Sequence, residues 1–75
     1  MNIVRRTEKY GKYTLSIQRS TFHYCTENTY ELAVLEGRDI VVPEAMQHLY
    51  SSDMVLGWQS EDDLTTIRNI LKSLI

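Results

Sequence analysis

The run from Ser60 to Ile75 constrains the fold more than any other part of the chain. Leu64, Ile67, Ile70, Leu71, Leu74 and Ile75 recur at steps of three, three, one, three and one, which gathers them into one apolar stripe along an α-helix. Ser60 ahead of Glu61, Asp62 and Asp63 supplies an N-cap hydroxyl, a carboxylate at the third helical position and negative charge at the positive end of the helix dipole. Arg68 and Lys72 fall in the later turns, where positive charge is favoured. The pattern predicts a helix from about residue 61 to the C-terminus. One such helix cannot bury its own stripe, so residues 1–60 must build the surface that covers it.

Several segments of that stretch read as strand. Ile3 to Glu8 and Tyr13 to Arg19 form a first hairpin around Lys9-Tyr10-Gly11-Lys12, with Gly11 giving the positive φ of a tight reversal. Tyr13, Leu15 and Ile17 alternate with Thr14, Ser16 and Gln18, a period of two that buries one face. Thr21-Phe22-His23-Tyr24-Cys25 is also β-prone. Tyr30 to Leu35 and Ile40-Val41-Val42, turned at Glu36-Gly37-Arg38-Asp39, make a second hairpin. Because Ala33 and Leu35 oppose Leu32 and Val34, the strand over 30–35 is expected to be central and covered on both faces, by helix, loop or a partner, an arrangement that also suits a dimer. Pro43 suits the first position of a short helix over Pro43–Tyr50, where Met46, Leu49 and Tyr50 follow at helical spacing. Met54 to Trp58 is apolar and fits either a buried extended piece or a packed loop.

These signals predict one α+β domain over residues 1–75. It has a small antiparallel sheet of about four strands in two hairpins, a short helix after Pro43, and the C-terminal helix packed on one face. A chain of 75 residues buries only roughly 60–65% of its unfolded surface, so a staple or a partner adds needed stability. Cys25 is the only cysteine, which rules out an internal disulfide. Association with itself or with another protein is the economical remedy. No run approaches the length of a membrane-spanning helix and no apolar leader follows Arg5 and Arg6, so with a lone thiol the expected location is the cytoplasm.

Candidate chemistry is sparse. His23 and Cys25, two apart on an expected strand, would project from one face about 7 Å apart. Cysteine catalysis would further need a group to orient the imidazole and an oxyanion hole. A zinc site from His23, Cys25 and His48 lacks the usual ligand spacing. Glu61, Asp62 and Asp63 are accounted for by helix capping, Glu36 to Asp39 is a turn rather than a calcium loop, and no glycine-rich phosphate loop is present. A small metal- or cysteine-dependent enzyme is therefore a minor alternative, and no small-molecule cofactor is expected.

Charge is uneven along the chain. Residues 1–25 carry Arg5, Arg6, Lys9, Lys12 and Arg19 against Glu8 alone, whereas residues 26–75 carry three basic residues against nine acids. Arg5, Arg6, Lys9, Tyr10, Lys12 and Arg19 are candidate partner-binding residues, able to meet phosphates with tyrosines stacking on bases. Against nucleic acid stands the overall net charge of −2. Tyr50 and Asp53, in Tyr50-Ser51-Ser52-Asp53 between Met46 and Met54, form a second candidate surface. Trp58 beside Gly57 is expected to plug the core. The leading expectation is a non-enzymatic protein-interaction module, a small cytosolic regulator or inhibitor docking on a larger protein or on itself, of the kind found among bacterial or bacteriophage accessory proteins. Nucleic-acid binding by the basic hairpin is the alternative.

Overall fold

Gly11 adopts φ of +59° while Lys12 keeps a negative φ, which is the type II′ reversal whose twist matches that of paired strands. This two-residue turn joins β1 (Val4–Tyr10) to β2 (Tyr13–Arg19). The computed structural model, which describes residues 2–75, continues with β3 (Tyr30–Glu36), β4 (Asp39–Val41), a 3-10 helix (Glu44–Leu49), β5 (Leu56–Gln59) and α1 (Glu61–Ser73). All strand pairs are antiparallel. β3 is central, with β2 along one edge. Its other edge is shared, because β4 pairs with Val34 to Glu36 and β5 with Tyr30 and Leu32.

The registers Ile17↔Leu32 and Leu15↔Val34 place four apolar side chains on one face of the sheet. Leu64, Ile67 and Leu71 of α1 pack there with Met46 of the 3-10 helix and Leu56 of β5, and Tyr10 and Tyr30 close the rim. Each fully buried leucine or isoleucine contributes roughly 1.5–3 kcal/mol, so this face accounts for most of the stability of so small a domain. The helix begins at a complete capping box: Ser60 Oγ accepts from Asp63 N and the Asp63 carboxylate accepts from Ser60 N.

Two polar ties fix α1 on the sheet. Tyr30 Oη donates to Glu61. Arg68 Nε and Nη2 donate to the two Glu8 carboxylate oxygens at 2.8 and 2.7 Å, joining α1 to β1. The Arg68 guanidinium holds the Glu8 carboxyl below the ordinary glutamate range, an effect that partial burial opposes and the Tyr10 hydroxyl assists.

The α+β class, the two hairpins, the short helix after Pro43 and the C-terminal helix stand as expected, and four details refine or correct the expectation. First, residues 21–25 are not a strand. Ser20 Oγ accepts from Phe22 N and contacts His23 Nδ1, while Ser20 O accepts from His23 N, so local turn bonds to Ser20 take the place of a strand ladder at the start of the segment. Second, the expected short helix is of the 3-10 type and spans Glu44–Leu49, with Pro43 at its N-cap rather than at its first position. Third, Met54 to Trp58 contributes a fifth strand, β5. Fourth, β3 is covered on one face only: Tyr30, Leu32 and Val34 are buried, whereas Glu31, Ala33 and Leu35 are half-buried. The helical stripe is shortened too, since α1 ends at Ser73 and Ile75 is 76% exposed.

Candidate functional site

β5 carries an irregularity that shapes the surface beside it. Tyr30 pairs with Gln59 and Leu32 with Leu56, so Gly57 and Trp58 together oppose the single residue Glu31. This is a β-bulge, and bulges re-aim side chains. Trp58 takes φ of +54°, the one non-glycine residue with positive φ among those described. For a residue with a Cβ that conformation costs on the order of 1–2 kcal/mol.

The surroundings hold Trp58 in place. Its N–H donates to Tyr24 O at 2.8 Å, capping the outer edge of β5 with the β2–β3 loop. Tyr24 N in turn donates to a Glu31 carboxylate oxygen at 2.8 Å, which ties the same loop back to β3. Gly57 permits the approach: a Cβ there would lie 2.9 Å from the Tyr24 Cβ. The Tyr24 and Trp58 rings meet with centroids 5.6 Å apart and planes tilted by 41°. Despite this fixing, Trp58 is 59% and Tyr24 56% exposed. The expected core plug is instead a surface residue, because the bulge turns it away from the helix-covered face.

Together these rings rim a cleft of about 300 Å³ whose walls include Leu49, Asp53, Val55 and Leu56. Adjacent to it the open face of the sheet forms a shallow groove of about 270 Å³ from Ser16, Gln18, Glu31, Ala33, Leu35, Ile40 and Val55. Ile40 is 44% exposed there. Val55 lines both hollows, so the aromatic pair and the open face are continuous.

The basic hairpin does not form one patch. The pairings Arg5↔Gln18 and Lys9↔Thr14 put Arg5 and Lys9 on the open face, while Arg6, paired with Ile17, lies on the helix-covered side. Arg19 is engaged: its Nε donates to Thr29 O at 2.9 Å and its guanidinium carbon lies 4.2 Å from the Tyr30 ring centroid. Lys12, in the turn, stands 3.6 Å from Glu36 and 5.3 Å from the Tyr13 ring centroid. Tyr10 closes β1 rather than lying in the turn, and it is buried in the core with its hydroxyl donating to Glu8. That removes it from the candidate surface.

The second candidate surface divides as well. Asp53 is exposed and lines the aromatic cleft. Tyr50 is half-buried against the core, its hydroxyl buried without a hydrogen-bond partner among the described residues. Burial raises the pKa of that phenol. Met46 is core, whereas Met54 is exposed.

His23 and Cys25 share a turn, with Cys25 Sγ directed to Ser20 O at 3.4 Å. Ser20, itself buried, spends its hydroxyl on Phe22 N and His23 Nδ1 and so staples the loop that carries Tyr24. Among the described residues no three His, Cys, Asp or Glu side chains gather as a metal-binding group. Among the described residues no helix is long and apolar enough to cross a membrane.

The sequence pattern does not disclose the exposed position of Trp58 and Ile40 or the half-buried positions of Leu35 and Val55. The one available signal was Gly57 ahead of an aromatic residue in a short β-prone run, a pattern associated with bulges and close backbone approach. No protein-family model matches the chain, and neither curated proteins nor solved structures give a significant match.

Proposed function

We propose that the chain is a non-enzymatic protein-interaction module, a small regulator or inhibitor that works in the cytoplasm by docking on a larger protein. The observation that carries this reading is Trp58, a large aromatic residue held in solvent at positive φ by a bulge, a close glycine contact and a backbone hydrogen bond. A side chain kept in an unfavourable conformation without burying its area contributes little to folding, whereas exposed, pre-positioned Trp and Tyr are the residue types that anchor interfaces. The open face extends the surface, with apolar Ala33, Leu35 and Ile40 flanked by Arg5 and Lys9.

Nucleic-acid binding through the N-terminal hairpin has less support. Its basic residues stand on two faces, and Arg19 and Lys12 are engaged locally. Self-association is a second form of the docking reading, favoured by the half-exposed apolar residues of the open face. Affinity capture from the source cell with wild-type and Trp58→Ala protein in parallel tests the proposal. A protein retained by the wild type and lost with Trp58→Ala supports it, and retention unaffected by the substitution contradicts it. Sedimentation of the wild type alone distinguishes a homodimer from a monomer awaiting a partner.

A further inference from the structure

The cleft beneath Trp58 has a chemistry of its own. Two exposed aromatic side chains, Tyr24 and Trp58, and one carboxylate, Asp53, line it together with the apolar side chains of Leu49, Val55 and Leu56, and no lining residue is basic. Asp53 forms no ion pair with another described residue. Every cleft residue but Tyr24 comes from residues 26–75, a strongly acidic stretch with nine acids against three bases, and one of those bases, Arg68, is committed to Glu8. Aromatic faces and a carboxylate both attract a cation, whereas a phosphate would meet the Asp53 charge. Its volume of about 300 Å³ lies at the small end for ligand sites, which suits one inserted side chain better than a cofactor.

We propose that this cleft receives an arginine side chain of the docking partner. The guanidinium plane stacks on the Tyr24–Trp58 corner, its N–H groups donate to the Asp53 carboxylate, and its methylene stem lies along Leu49 and Val55. A planar, weakly hydrated cation that stacks and donates hydrogen bonds at the same time fits these three features, which a lysine ammonium satisfies less well. This assignment rests on the docking reading and adds to it the identity of the anchoring group.

Trp58 is the only tryptophan, so its emission and its indole N–H resonance report on the cleft directly. The test titrates the wild-type chain with a short blocked peptide bearing one central arginine, and with the same peptide bearing citrulline, which keeps the shape and loses the charge. Saturable changes in both signals are expected with arginine, with citrulline about tenfold weaker because the cation–π contact and the ion pair are both lost. Asp53→Asn, at an exposed position where folding is undisturbed, is expected to weaken the arginine peptide by about threefold to fivefold. Equal binding of the two peptides, indifference to Asp53→Asn, or no response of Trp58 at all overturns the arginine assignment. If that assignment fails while Trp58→Ala still loses the captured partner, docking through Trp58 stands and the anchor is another group. If the peptides behave as expected while capture is insensitive to Trp58→Ala, the cleft binds arginine but the docking reading falls.

Discussion

A Cβ added to Gly57 would meet the Tyr24 Cβ at 2.9 Å and the Tyr24 carbonyl oxygen at 3.1 Å. The second contact is backbone, held by the hydrogen bond from Trp58 N, so neither side can yield cheaply. Gly57→Ala is therefore expected to lose about 1–3 kcal/mol in urea unfolding. The Tyr24 and Trp58 resonances should shift most in its spectrum. Tyr50 presents the opposite case. Its hydroxyl is buried with no partner among the described residues, and an unsatisfied buried hydroxyl costs more than its removal. Tyr50→Phe is expected to raise stability by about 1 kcal/mol, measured by the same unfolding curve. A loss of stability would show that the hydroxyl is satisfied after all.

Between elements, the contact with the clearest pH signature is the Glu8–Arg68 pair, which clamps α1 to the edge strand β1. Its carboxyl is depressed in the folded state, chiefly by the Arg68 hydrogen bonds. Folding therefore gains stability above the unfolded glutamate value, and that gain is lost as pH falls below about 4 through the lower folded value. Glu8→Gln is expected to cost about 1 kcal/mol at neutral pH, since the pair is partly solvent-screened. It should also flatten the acid limb of the stability curve between the two pKa values. An acid limb identical to the wild type would contradict the role given to the pair. Elements whose causes are local were legible in the sequence. Ser60 to Asp63 specifies a capping box within four consecutive residues, and the Tyr13–Leu15–Ile17 alternation specifies a half-buried strand. The β2–β3 loop, the bulge and β5 depend on contacts distant along the chain, Trp58 N to Tyr24 O and Tyr24 N to Glu31, and no periodicity encodes those. The candidate site was hidden for the same reason: composition identifies Trp58 as aromatic, but only the bulge decides which side of the sheet it faces.

At the scale of the whole molecule, the buried core and the proposed docking surface lie largely on opposite sides of the sheet, with Leu56 shared between the core and the cleft. One face is closed by α1 and the 3-10 helix over Leu15, Ile17, Leu32 and Val34, while the other leaves Ala33, Leu35 and Ile40 half open beside the Tyr24–Trp58 corner. Two-sided coverage of β3, expected from its apolar pattern, would then be completed by a docking partner rather than by the chain itself. The basic residues of β1 have a structural role consistent with this arrangement, because Arg5, Arg6 and Lys9 line the sheet's free edge and discourage indiscriminate strand pairing. The central claim is that Trp58 serves recognition and not the core. Urea unfolding of Trp58→Gly, followed by circular dichroism of the helix, tests it directly. Glycine relieves the positive-φ strain and forfeits a tilted aromatic contact, terms of similar size, so stability within about 1 kcal/mol of the wild type is expected. A loss of about 3 kcal/mol or more, the range for truncating a buried aromatic residue, would contradict it and return Trp58 to the core.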